Sequence, residues 1–202
     1  RGLGDVYKRQ LLLDFQATLE TKPEKAIKLE KDALAQIENI TADNARLVSN
    51  LHANLGGLYR MNGHPDLARE HMEKSISLLD QFNLLHINDS IPQIANYAMF
   101  LTEQQEPERG ISELQKLSGI IKEYHSDDCL DYAKVQETLG TIYLMTANLP
   151  QAKTHFKRAF KIYEKIWADE PEMIEAKYQE IQELYPQIGF CIGKNLSGLL
   201  TK

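Results

Sequence analysis

The sequence predicts an all-α fold, a solenoid of stacked antiparallel helical hairpins. Three observations carry the prediction. Pro23, Pro65 and Pro107 stand 42 residues apart, and Pro150 follows 43 residues later. Behind them Ala26, Ala68, Gly110 and Ala152 keep a strict step of 42. Upstream of the prolines, Gly56, Ala98 and Gly140 repeat at the same interval. Self-similarity at a fixed period of this size marks a chain built from stacked supersecondary units.

Each proline opens a helix. The first helical position tolerates proline because its amide hydrogen would be unpaired there. Glu24, Asp66 and Glu108 follow at once, where the helix dipole favours negative charge. The helices behind them carry apolar stripes at helical spacing. These read Ala68, Met72, Ser75, Ile76, Leu79, then Gly110, Leu114, Leu117, Ile121, Tyr124, then Ala152, Phe156, Ala159, Phe160, Tyr163. A second helix precedes each proline. Residues 44–61 place Leu51, Leu55, Leu58 and Tyr59 on one face, 91–101 place Ile94, Tyr97, Ala98 and Leu101, and 132–145 place Val135, Leu139, Ile142 and Tyr143. A glycine in a helix interior costs about 1 kcal/mol against alanine, so its periodic return predicts close helix–helix approach. Asn62-Gly63, Gln105-Glu106 and Asn148-Leu149 mark the tight turns inside hairpins, and polar links at 88–90 and 125–129 join one hairpin to the next.

The expected organisation is four units, about 11–48, 49–90, 91–132 and 133–170, closed by a capping helix over 171–187 and followed by a tail, 188–202. Residues 1–10, "RGLGDVYKRQ", lack an initiator methionine, and DVYKRQ resembles the read-through of a transposon end used in sequencing-library preparation. That resemblance implies a non-native scar, excluded from fold reasoning, and further sequence upstream.

Composition narrows the function. Of 202 residues, 43% are hydrophobic and 26% charged, with a net charge of −6. An acidic chain lacks the electrostatic footprint of a nucleic-acid binder. No apolar run approaches the roughly 18–20 residues a membrane-spanning helix needs. Cys129 and Cys191 are isolated, which fits a reducing, cytoplasmic setting better than a disulfide framework.

Leu139, Gly140, Tyr143, Ala152, Phe156 and Ala159 follow L-G-x-x-Y, then A-x-x-x-F-x-x-A, which resembles the tetratricopeptide repeat. Leu55, Gly56, Tyr59 and Ala68 give a second copy, with Met72 and Ser75 in the last two slots. The long period is similar to the kinesin-light-chain variety, and "DCLDYAKVQETLG" is similar to the linker and first helix of those repeats, although Leu130 replaces their proline. The third unit departs from the pattern, with Ala98 and Leu101 for glycine and tyrosine. The first unit departs further, with Asp14 and Ala17 in those slots.

The resemblance implies a superhelix whose first helices line a concave groove. Asn50, Asn54, Arg60 and Met61, then Asn96 and Met99, then Lys134, Thr138, Thr141 and Met145 are its candidate lining; Thr102 falls in the same row. Asn54 and Asn96 sit at the asparagine position of kinesin-light-chain-like units. An asparagine can donate to and accept from an extended peptide backbone, and methionines give an adaptable apolar floor. The expected function is non-catalytic binding of a protein or peptide segment, extended or helical, with no cofactor. The alternative is a sensor module of a larger, bacterial regulator that binds a signalling peptide and controls an attached effector domain; the complete reading frame separates the two.

Other constellations are weaker. "YHSDDC" (124–129) gathers a histidine, carboxylates and a thiol, but lacks the spacing of a metal or nucleophile motif. His64 and His71 are too differently placed to share a metal, because His64 falls in a turn. Lys153, Lys157, Lys161 and Lys165 form a stripe that reads as a solvated outer face.

Overall fold

A computed structural model describes residues 22–184; the expectations for 1–10, for the start of the first unit and for the tail lie outside these residues. The described residues form helices and connecting turns. They fall into two compact units, divided between Phe100 and Leu101.

In the first unit, α1 (Pro23–Leu34), α2 (Ala45–Met61) and α3 (Pro65–Gln81) precede α4 (Ser90–Glu103), which runs across the division. Pro23 and Pro65 stand at the first helical position, each followed by its acid, Glu24 and Asp66. Helix α2 packs along α3 and more lightly on α1. The buried residues of α2 include Leu51, Leu55 and Tyr59, and those of α3 include Ala68, Met72, Leu78 and Leu79. Ala33, Leu47 and Leu51 form a smaller cluster with Leu34 and Ile37. The glycine of α2 is there for contact. A Cβ on Gly56 would stand 2.5 Å from Met72 Cγ, 3.2 Å from the Met72 backbone nitrogen and 3.3 Å from the Ala68 carbonyl oxygen.

The second unit holds α5 (Pro107–Tyr124), α6 (Leu130–Met145), α7 (Leu149–Ile166) and α8 (Pro171–Leu184). Helix α6 packs along α7 and on α5, and α8 rests on α7. Ala152, Phe156, Phe160 and Ile181 make the core here, joined by Tyr143, Leu144 and Tyr178. Cys129 Sγ accepts from the Tyr132 amide and so caps α6, and Asn148 Oδ1 accepts from the Gln151 amide to cap α7. Tyr124, expected on the buried stripe of α5, is exposed; Ile121 is the last buried residue before the chain turns away at His125.

The hairpin turns repeat with the helices. Gly63, Gln105 and Ala147 all have left-handed backbones, with φ of 74°, 64° and 58°. After each, an amide reaches back to the preceding helix: His64 to the Tyr59 carbonyl, Glu106 to Leu101, Asn148 to Tyr143. This left-handed closure satisfies carbonyls that the helix end leaves over.

Candidate functional site

The candidate groove residues lie on the first helices of the hairpins. In the first unit, Asn50, Asn54, Arg60 and Met61 are on α2, and Asn96 and Met99 are on α4. Asn54, Met61 and Asn96 are exposed, Met61 to 81%, while Asn50, Arg60 and Met99 are half-buried. In the second unit, Lys134, Thr138, Thr141 and Met145 follow one another on α6, with Met145 exposed to 45%. Met61 and Met145 are two periods apart, so the same position of two first helices presents a thioether to solvent.

Two of the asparagines already have work within the fold. Asn54 Nδ2 donates to Glu30 Oε1 at 3.0 Å. Glu30 is 1% exposed and occupies the slot that Phe156 fills in the last hairpin. A carboxylate so buried requires hydrogen-bond donors, and Asn54 is one of them. Asn50 Oδ1 accepts from Gln93 Nε2 at 2.6 Å. Gln93 Oε1 in turn lies 2.8 Å from the Ser49 hydroxyl and 2.5 Å from that of Ser75. This network ties α2, α3 and α4 together through buried polar groups, and it makes Asn50 a structural residue.

On α6, Lys134 lies 3.7 Å from Asp131, and the Thr138 hydroxyl donates to the Lys134 carbonyl at 3.0 Å. Thr102, expected in the same row, is buried. Lys134 also borders a pocket of about 300 Å³ with Leu130, Tyr163, Trp167, Met173 and Lys177. The Tyr163 and Trp167 rings stack there, with centroids 4.9 Å apart. Tyr163 donates to Glu137 at 2.6 Å, and Lys177 bridges Glu137 and Glu180 at 2.9 and 3.1 Å. Burial lowers the Lys177 pKa, but the two carboxylates outweigh it, so the ammonium stays charged to higher pH than usual.

A second cluster was missed by sequence reasoning. His52 of α2 and His71 of α3 face each other with Nδ1 atoms 2.9 Å apart, His71 stacks on Tyr59, and Lys31 Nζ of α1 lies over the Tyr59 ring at 5.5 Å. The second unit holds a relative: His155 Nδ1 is 2.9 Å from Gln136 Oε1, and its ring stacks on Tyr143. Tyr59 and His71, like Tyr143 and His155, are 12 residues apart, and this repeated spacing is the one sequence signal that could have revealed the module. His64, paired with His71 in the sequence, instead meets the edge of Tyr59.

The "YHSDDC" stretch resolves into structural roles. Asp128 pairs with Lys165, its backbone amide bonds Ser126, and Cys129 is the cap of α6. Lys153, Lys157, Lys161 and Lys165 are all exposed, as a solvated face requires. Among the described residues no helix is long and apolar enough to cross a membrane.

Repeated antiparallel hairpins with exposed first-helix positions define a helical-repeat protein of the α-solenoid class. The comparisons agree. Residues 90–165 match the tetratricopeptide repeat family, so that stretch of the chain is similar to tetratricopeptide repeats. Among solved structures it is similar to BtubC (BKLC) from P. vanneervenii, with 19% identity, a TM-score of 0.72 and coverage of 92% of this chain and 74% of that one. No curated protein matches the chain.

Proposed function

We propose that the chain is a non-catalytic binding module that engages a protein or peptide segment through the first helices of its hairpins. The observation that carries this reading is the pair Asn54 and Asn96. They stand one period apart in the first unit, both exposed, each on a first helix. Met61 and Met145 supply adaptable apolar contacts at matching positions. One Asn54 amide hydrogen is committed to Glu30, so Asn96 carries the larger share of backbone recognition. Within the second unit taken by itself, the pocket where Tyr163 and Trp167 stack beside Lys134 offers a separate place for a large apolar side chain.

Affinity capture from the native extract tests the proposal. Wild-type protein should retain a partner that Met61→Arg and Asn96→Arg both release, while Lys157→Glu on the outer face retains it. Retention by all three variants would overturn the assignment of the binding face.

A further inference from the structure

We propose that His52 and His71 form a two-nitrogen site for a divalent transition metal of the imidazole-binding class, zinc or copper(II). The two rings project from adjacent helices that pack along each other, so their positions are fixed by the hairpin itself. Their Nδ1 atoms are 2.9 Å apart and their centroids 5.1 Å. Two imidazole nitrogens bound to one tetrahedral zinc at about 2.0–2.1 Å stand roughly 3.3 Å apart. A modest tilt of each ring opens that gap. Without metal, the same two nitrogens share one proton as a hydrogen bond.

Imidazole must be neutral to bind a metal, and a site already neutral loses no proton on binding. Burial lowers the His52 pKa to about 4, with His71 and Lys74 adding to the shift. Burial also lowers that of His71, helped by Lys31 and opposed by Glu70. The rings line an open depression of about 520 Å³ together with Glu70, Glu73, Lys74 and Ser77. The two glutamates offset Lys74 there, and the opening admits water. Among the described residues no group of three or more His, Cys, Asp or Glu is gathered closely enough to hold a metal. The protein therefore supplies two ligands, and water completes the shell.

The second unit separates this role from plain structural bonding. Two periods on, Gln136 stands in the place of His52 and His155 in that of His71, with the same 2.9 Å bond and the same tyrosine stack. Glutamine alone satisfies the hydrogen bond. A second imidazole at that position adds a metal ligand that the hydrogen bond does not require.

The test is calorimetric titration of the full chain with zinc near neutral pH. Wild-type protein should bind one zinc per chain and melt several degrees higher in its presence. His52→Gln installs the pair seen at Gln136 and His155, so its metal-free melting temperature should hold while zinc affinity falls roughly tenfold or more. His64→Gln, at an exposed histidine, should bind as wild type. Absence of saturable zinc binding in wild-type protein, or equal binding by His52→Gln, overturns the proposal. If His52→Gln folds poorly, the wild-type protein decides. Zinc must then shift the imidazole NMR resonances of His52 and His71 before those of the other histidines; the reverse order overturns the site.

Discussion

Gly140 faces the ring of Phe156 so closely that a Cβ on the glycine would stand 2.9 Å from Phe156 Cδ2. The glycine and the phenylalanine are therefore one feature of the repeat: the absent side chain of α6 makes room for the large one of α7. Gly140→Ala should destabilise the chain by about 1–3 kcal/mol, because the ring is fully buried and has little room to yield. Gly119→Ala, where a Cβ would meet nothing within 4 Å, should instead stabilise by about 0.5–1 kcal/mol through helix propensity. Thermal melts of both variants check the pair; a stabilised Gly140→Ala would mean that the helices do not approach so closely.

The same packing governs alanine in the facing helix. Ala152 is 2% exposed beside Phe156, so Ala152→Leu should cost about 1–3 kcal/mol, while Lys157→Leu on the exposed face should be nearly neutral. Equal effects on the melting temperature would contradict the assigned faces.

Ala147 holds a left-handed backbone, φ 58°, at the position where the first full hairpin has Gly63. A side chain costs about 1–2 kcal/mol in that conformation, and glycine removes the cost at some expense in unfolded-state entropy. Ala147→Gly should therefore raise stability by up to about 1 kcal/mol, and Gly63→Ala should lower it by a similar amount. Denaturant midpoints measured on the two variants should move in opposite directions.

The helices and their close contacts were legible in the sequence because one constraint, the fixed period, wrote them several times. Pro65, Gly56 and Ala68 each have counterparts, and each counterpart confirms the same position in the hairpin. What escaped was chemistry written in unlike residues. His52 and Gln136 occupy one position and make equivalent bonds, yet share no side-chain class. Glu30 hid for the same reason: a carboxylate stands in a slot that is apolar elsewhere, and its partner Asn54 reads in the sequence as a groove residue that meets a peptide backbone. Asn50 looked available because periodicity locates a face but does not reveal a neighbour such as Gln93 reaching across from another helix.

Acid should weaken the first unit. His52 has a folded pKa lowered to about 4 from an ordinary 6.5, chiefly by burial, with His71 and Lys74 contributing. The unfolded chain then binds the proton more readily than the folded one. Stability from this group is fully present above about pH 6.5 and is lost as pH falls towards 4. His52→Gln, measured without metal, should flatten the fall in melting temperature across that window. An unchanged pH profile would remove His52 as its cause.

The binding face is tested most directly by titrating the captured partner against Asn96→Ala, with Asn54→Ala and Lys157→Ala alongside. Loss of a side-chain bond to the partner should weaken binding by roughly two- to tenfold, about 0.5–1.5 kcal/mol, for Asn96→Ala. Asn54→Ala should lower both affinity and stability, since it also strips a donor from buried Glu30. Lys157→Ala should bind as wild type. Affinity that falls for Lys157→Ala and holds for Asn96→Ala would place the partner on the outer helices and contradict the account.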